Sequence, residues 1–177
     1  MNFWLTLLAY DAVWFAAVIG AGNGKGWPGV IAALAFAAWR LAFSAHRNVE
    51  LRLIALALLI GFVLENICAR AGFVQYAAAA PLIETPAWLM ALWFAFGLTI
   101  IPLFGYFHTR PVFAALFGAI GGPLAYLGAA QGWHAVKLLP PVWPALLALA
   151  VGWATALALL TSLAGRWLHI DGVRHAP

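Results

Sequence analysis

The residues best placed to do chemistry in this chain are two carboxylates set inside long apolar runs, Asp11 and Glu65. An ionisable group in hydrocarbon costs at least a few kcal/mol at mid-depth, so each needs a partner, an aqueous cavity or a job. On helices rising 1.5 Å per residue, Asp11 comes about 12 Å from one end of its run, and Arg40 comes about 10 Å from the same face. Matching depths on adjacent antiparallel helices predict an Asp11–Arg40 ion pair, read as a structural clasp or as the lining of a polar pocket or proton path, with mutual independence of the two as the remaining alternative.

Glu65, beside Asn66, lies about 21 Å along the third run. Arg70 is about 140° away around the same helix and does not meet it on one face. At similar depth stand Tyr126, Thr99 and the backbone around Gly121-Gly122-Pro123, where proline removes a donor and frees a carbonyl. Glu65, Asn66, Tyr126 and Pro123 therefore make the candidate ligand, ion or proton site; the plainer alternative is a structural glutamate that is satisfied by hydrogen bonds or protonated by burial. In the fifth run Ala114, Gly118, Gly122, Ala125 and Ala129 recur at steps of three and four. The Gly118-x-x-x-Gly122 spacing lets another backbone approach closely, within the chain, in a homo-oligomer or against a membrane partner.

Other chemistries find no footing. His46, His108, His134, His169 and His175 fall in loops or the tail with no H-x-x-x-H or H-x-x-E-H pair, so no metal site is expected. No serine or cysteine stands in a nucleophile motif, and no phosphate-cradling loop follows a strand. The expectation is a chain without a cofactor and without recognisable catalysis. Cys68 is the single cysteine and cannot form an intramolecular disulfide. The nine basic residues are scattered singly, which argues against nucleic acid as a partner.

The elements that must position these residues follow from composition. Hydrophobic residues make up 66% of 177 and charged residues 8%, with a mean hydropathy of +0.98, whereas soluble domains are about a quarter charged. The pattern predicts an all-α integral membrane protein whose environment is the lipid bilayer. About six transmembrane helices are placed near 3–21, 28–45, 51–71, 87–107, 111–131 and 142–164, forming a single transmembrane domain over 1–177. The first run lacks a basic n-region and is broken by Asp11, so it reads as a helix rather than a cleaved signal. Pro28 suits the first turn of the second helix. The longest connection, Phe73 to Pro86, reads as a segment along the interface or a re-entrant piece. Arg40, Arg47, Arg52, Arg110, Arg166 and Arg174 would share one side, against Lys25, Arg70 and Lys137 on the other. That bias predicts a cytoplasmic N-terminus in a multi-pass protein. Trp4, Trp27, Trp88, Trp133, Trp143 and Trp167 fall at span ends and read as interfacial belts.

Three stretches carry a resemblance: Trp14-Phe15 in a first span opening with Asn2-Phe3, then Leu92-Trp93-Phe94-Ala95-Phe96, then Gly118 to Leu127 with its Gly-Gly-Pro-Leu-Ala-Tyr core. Together they resemble an uncharacterised bacterial polytopic membrane family, domain of unknown function 2878, over nearly the whole chain. The resemblance implies a small inner-membrane protein and brings no catalytic residues with it. It implies an acidic residue near Glu65 and a polar one near Asp11, while the family's Asn-His pair of the fourth helix would fall at Ile101-Pro102 here. An association with lipid modification hints at hydrophobic substrates.

These features point to a non-enzymatic membrane protein that binds or translocates a small or lipophilic molecule in a cavity near Glu65, Tyr126 and Pro123. The alternative is an accessory or assembly subunit docked through its fifth helix. A third reading, an intramembrane enzyme on lipid or isoprenoid, needs convergent carboxylates and histidines that the inferred depths do not supply.

Overall fold

A chain in hydrocarbon must satisfy its backbone hydrogen bonds within each segment, so apolar runs cut by glycine and proline become helices. The computed structural model describes residues 3–79 and 84–174, with side chains as far as Ile170. Asn2, Pro81, His175 and the side chain of Arg174 lie outside the described residues. The helices are α1 (Phe3–Gly22), α2 (Trp27–Ala42), α3 (Arg47–Arg70), α4 (Ala87–Phe104), α5 (Pro111–Trp133) and α6 (Val142–Arg174). Five are long and apolar enough to cross a membrane, while α2, with 16 residues, is shorter, at about 24 Å.

The connection after α3 holds a strand, β1 (Val74–Tyr76), that pairs antiparallel with β2 (Val136–Leu138) from the α5–α6 connection. Bonds from Ala77 N–H to the Ala135 carbonyl and from Leu139 N–H to the Phe73 carbonyl extend the ladder. This small sheet ties two loops together at one end of the bundle, called the sheet end below. The α2–α3 turn marks the other.

α4 stands at the centre. Of its most apolar stretch 56% is buried, against 22–28% in α1, α5 and α6, and it packs on α1, α2, α3 and α6. Outward faces carry Leu8, Ile31, Leu59, Ile120 and Val151, all exposed, the surface that acyl chains solvate. α5 and α6 form the most extensive helix pair. Here the small stripe has its use: a Cβ at Gly118 would overlap the Trp153 backbone, and one at Gly122 would overlap the Trp153 ring. That face of α5 is taken up within the chain by α6 rather than left for a second copy or a partner.

The ion pair of the α2–α3 end differs from the expected one. Arg40 pairs with Glu50, both buried, while Asp11 is exposed and forms no hydrogen bond or ion pair among the described residues. Equal depth did not imply equal phase: Arg40 points into the bundle and Asp11 out of it. Because α3 begins at Arg47, Glu50 falls in its first turn and faces the end of α2 across residues 43–46. Arg47 completes the junction, its Nε and Nη2 donating to the Leu41 and Ala42 carbonyls at 2.7 and 2.9 Å. Those are carbonyls that a helix end leaves unpaired.

Two outcomes follow. Gly118→Leu is expected to lower stability by at least about 1–3 kcal/mol, whereas Gly121→Leu leaves it near wild type, because a Cβ at Gly121 meets only the Phe117 ring edge at 3.9 Å. Thermal unfolding of both variants in detergent checks the contrast. Glu50→Ala is expected to cost about 3–5 kcal/mol by removing one member of a buried pair, measured as the shift in unfolding midpoint.

Candidate functional site

Glu65 lies five residues before the end of α3 and is 0% exposed. One turn earlier on the same face, Gly61 leaves room for the Trp93 indole, which a Cβ there would overlap. Trp93 Nε1 donates to Glu65 Oε1 at 2.8 Å, and the Tyr126 hydroxyl donates to the same oxygen. The Tyr76 hydroxyl donates to Oε2 at 2.5 Å. A carboxylate dry on all sides is sustained only by such hydrogen bonds when no cation pairs with it, and among the described residues none does.

Each donor arrives by a different route. Trp93 comes from central α4 and Tyr126 from α5. Tyr76 comes from β1, where period-two alternation turns Val74 and Tyr76 inward and Gln75 outward. Burial first, then the neighbouring Glu65, pushes the Tyr76 phenol well above its ordinary value, so it remains a donor at neutral pH. Trp93 also stacks on Trp153 at 4.5 Å between centroids, the residue that fills the Gly118–Gly122 groove. The glutamate is thereby joined to the α5–α6 seam through two indoles.

Beside this cluster lies a partly open cavity of about 310 Å³ between α1, α4, α5 and α6. Trp93 and Tyr126, two of the three groups that hold Glu65, form part of its wall, while Glu65 stays behind them. Gly118, Gly121 and Gly122 line the α5 side. At the sheet end α1 meets α5 through Trp14 and Phe15 against Trp133, at centroid distances of 5.5 and 5.3 Å. The rim carries Asp11 of α1 and Phe117 of α5, both exposed. Counted along their helices they sit about 12 and 9 Å from the α2–α3 end.

Of the residues expected from the sequence, Glu65 and Tyr126 meet. Asn66 does not join them; one residue on, it is turned away and its amide donates to the Phe62 carbonyl of its own helix at 2.8 Å. Pro123 stands inside α5, half-buried and off the cavity wall, and Thr99 bonds the Phe96 carbonyl at 2.7 Å. Tyr76 and Trp93 were not anticipated as partners of Glu65. Their signals were the Val-Gln-Tyr alternation in a loop and a glycine four residues before the glutamate. Trp88, expected in an interfacial belt, is 1% exposed, donates to the Ala77 carbonyl at 2.9 Å and lines the cavity. Trp4, Trp27 and Trp143 are exposed. Among the described residues no three His, Cys, Asp or Glu side chains cluster as a metal site.

Apolar helices around a hydrogen-bonded carboxylate define a multi-pass helical membrane protein with a polar knot and an adjoining apolar cavity. Residues 3–159 match the family model described as Protein of unknown function (DUF2878), and the chain belongs to that family. No curated protein and no solved structure matches it.

Removing the acceptor strands three donors, so Glu65→Ala is expected to destabilise far more than Tyr126→Phe. The first leaves Tyr76, Trp93 and Tyr126 unsatisfied at about 1–3 kcal/mol each; the second removes one bond worth about 1.5–3 kcal/mol. Unfolding midpoints of the two variants in the same detergent give the comparison, and equal losses would contradict the assigned geometry.

Proposed function

We propose that this protein binds a small lipophilic molecule in the cavity between α1, α4, α5 and α6, taken from the bilayer through the α1–α5 gap. The observation that carries the reading is the cavity itself, about 310 Å³ with an almost wholly apolar lining and a rim among exposed residues. That volume sits at the lower edge of ligand pockets, roughly 300–1,000 Å³. It gives room for about ten water-sized groups at about 30 Å³ each. Contact of Trp14 and Phe15 with Trp133 narrows the α1–α5 seam at the sheet end, which favours holding a molecule over passing it straight through. The Glu65 knot serves this function indirectly, by fixing Trp93 and Tyr126 as a rigid wall. An N-terminus on the cytoplasmic side would put the rim in the inner leaflet.

Gly121→Leu tests the reading, since its side chain would occupy the cavity without meeting backbone. Protein purified from membranes in a nonionic detergent is expected to release a stoichiometric lipophilic compound on solvent extraction, detected by mass spectrometry. The folded Gly121→Leu protein is expected to release at most about a tenth as much. Equal recovery from both would overturn the proposal.

A further inference from the structure

Asp11 stands apart from every other carboxylate described here. Glu50 has Arg40, Glu65 has three donors, and Glu84 has Arg70 at 3.4 Å. Asp11 has no hydrogen bond or ion pair among the described residues, although it lies near the middle of a spanning helix. An exposed aspartate at a water-facing surface is ordinary. One facing acyl chains about 12 Å from the helix start and about 16 Å from its end is not. Its position is specific as well: it sits on the rim of the cavity, flanked along α1 by Tyr10 and Trp14, which line the same space.

We infer that the molecule held in the cavity is an amphipathic cation, a protonated amine or quaternary ammonium on an apolar tail, whose charge pairs with Asp11 at the rim. The inference rests on the cavity-binding reading above and adds the charge of the ligand to it. Charge complementarity selects this occupant. A neutral lipophile would leave Asp11 unpaired in hydrocarbon, and an anion would be repelled by it. Aromatic faces next to the carboxylate add cation–π attraction, strongest where water is excluded. The tail would run along the α5 glycines toward Trp93 and Tyr126, where the lining is apolar. The same ammonium chemistry is offered by a free amphipathic amine and by the headgroup of an aminophospholipid.

The test uses the full chain in maltoside micelles, which contain no amine, and follows quenching of tryptophan by bromine. Three probes share one tail: ω-bromodecyltrimethylammonium, ω-bromodecanol and ω-bromodecanoate. The expected result is saturable quenching with the ammonium binding at least about tenfold more tightly than the alcohol, and the carboxylate weakest. Asp11→Asn is expected to bring the ammonium to the affinity of the alcohol while leaving the alcohol unchanged. An ammonium preference that survives in Asp11→Asn, or no preference in the wild type, overturns the cation inference and leaves cavity binding standing. Quenching by all three probes that is unaltered in Gly121→Leu overturns both readings. Displacement of the ammonium probe by decylamine supports the inference; displacement also by dihexanoylphosphatidylethanolamine identifies the headgroup as the source, and displacement by neither overturns it.

Discussion

The interaction on which the rest of the bundle depends is the hydrogen bonding of one carboxylate that water does not reach. Glu65 is fully buried, and a bare carboxylate in such surroundings is too costly to survive unless several donors converge on it. Three do, from β1, α4 and α5. Satisfying them accounts for features that otherwise look unrelated: a glycine at 61 to admit an indole, a two-stranded sheet that delivers a phenol, and a tyrosine on α5 that faces inward. The stack of Trp93 on Trp153 carries the constraint to the α5–α6 seam, so the positions of four helices refer to one side chain.

A buried polar network that is fully satisfied rigidifies what surrounds it. Here the surroundings include the wall of the cavity, since Trp93 and Tyr126 face both ways. The two intramembrane carboxylates thus divide the work. Glu65 is sequestered and shapes the space, whereas Asp11 is left open at the rim. Their difference lies in the number of partners more than in depth, because both occupy spanning helices of similar character.

Much of the architecture was legible in the sequence because the bilayer imposes a coarse rule: apolar length sets the spans, and glycine, proline and charge set the breaks. α1 starts at Phe3 and α5 at Pro111, and the small-residue stripe of α5 lies against α6. Helical phase was not legible. Asp11 and Arg40 match in depth, yet rotation about their axes puts one outside the bundle and the other inside, and the partner of Arg40, Glu50, lies in the first turn of an α3 that starts at Arg47, ahead of the apolar run. Asn66 failed for the same reason, being 100° from its neighbour. Tyr126 was found because depth alone brought it level with Glu65. Tyr76 was missed because its role depends on a strand of three residues whose partner lies some sixty positions downstream, a non-local pairing that no local pattern announces.

The order of these donors along the chain has a consequence for biosynthesis. Every partner of Glu65 lies C-terminal to it, the last being Tyr126, 61 residues later. At roughly 5–20 residues per second of synthesis, α3 waits on the order of 3–12 s after its glutamate is made before the final donor exists. During that interval Tyr76 and Trp93, 11 and 28 residues after Glu65, are the donors already made, and something outside the chain has to serve the rest of the carboxylate. Its place close to the end of α3, about 8 Å from the helix terminus, allows headgroup water to do so until α4 and α5 arrive. The third helix is therefore complete well before the last donor to its glutamate, which comes with the fifth.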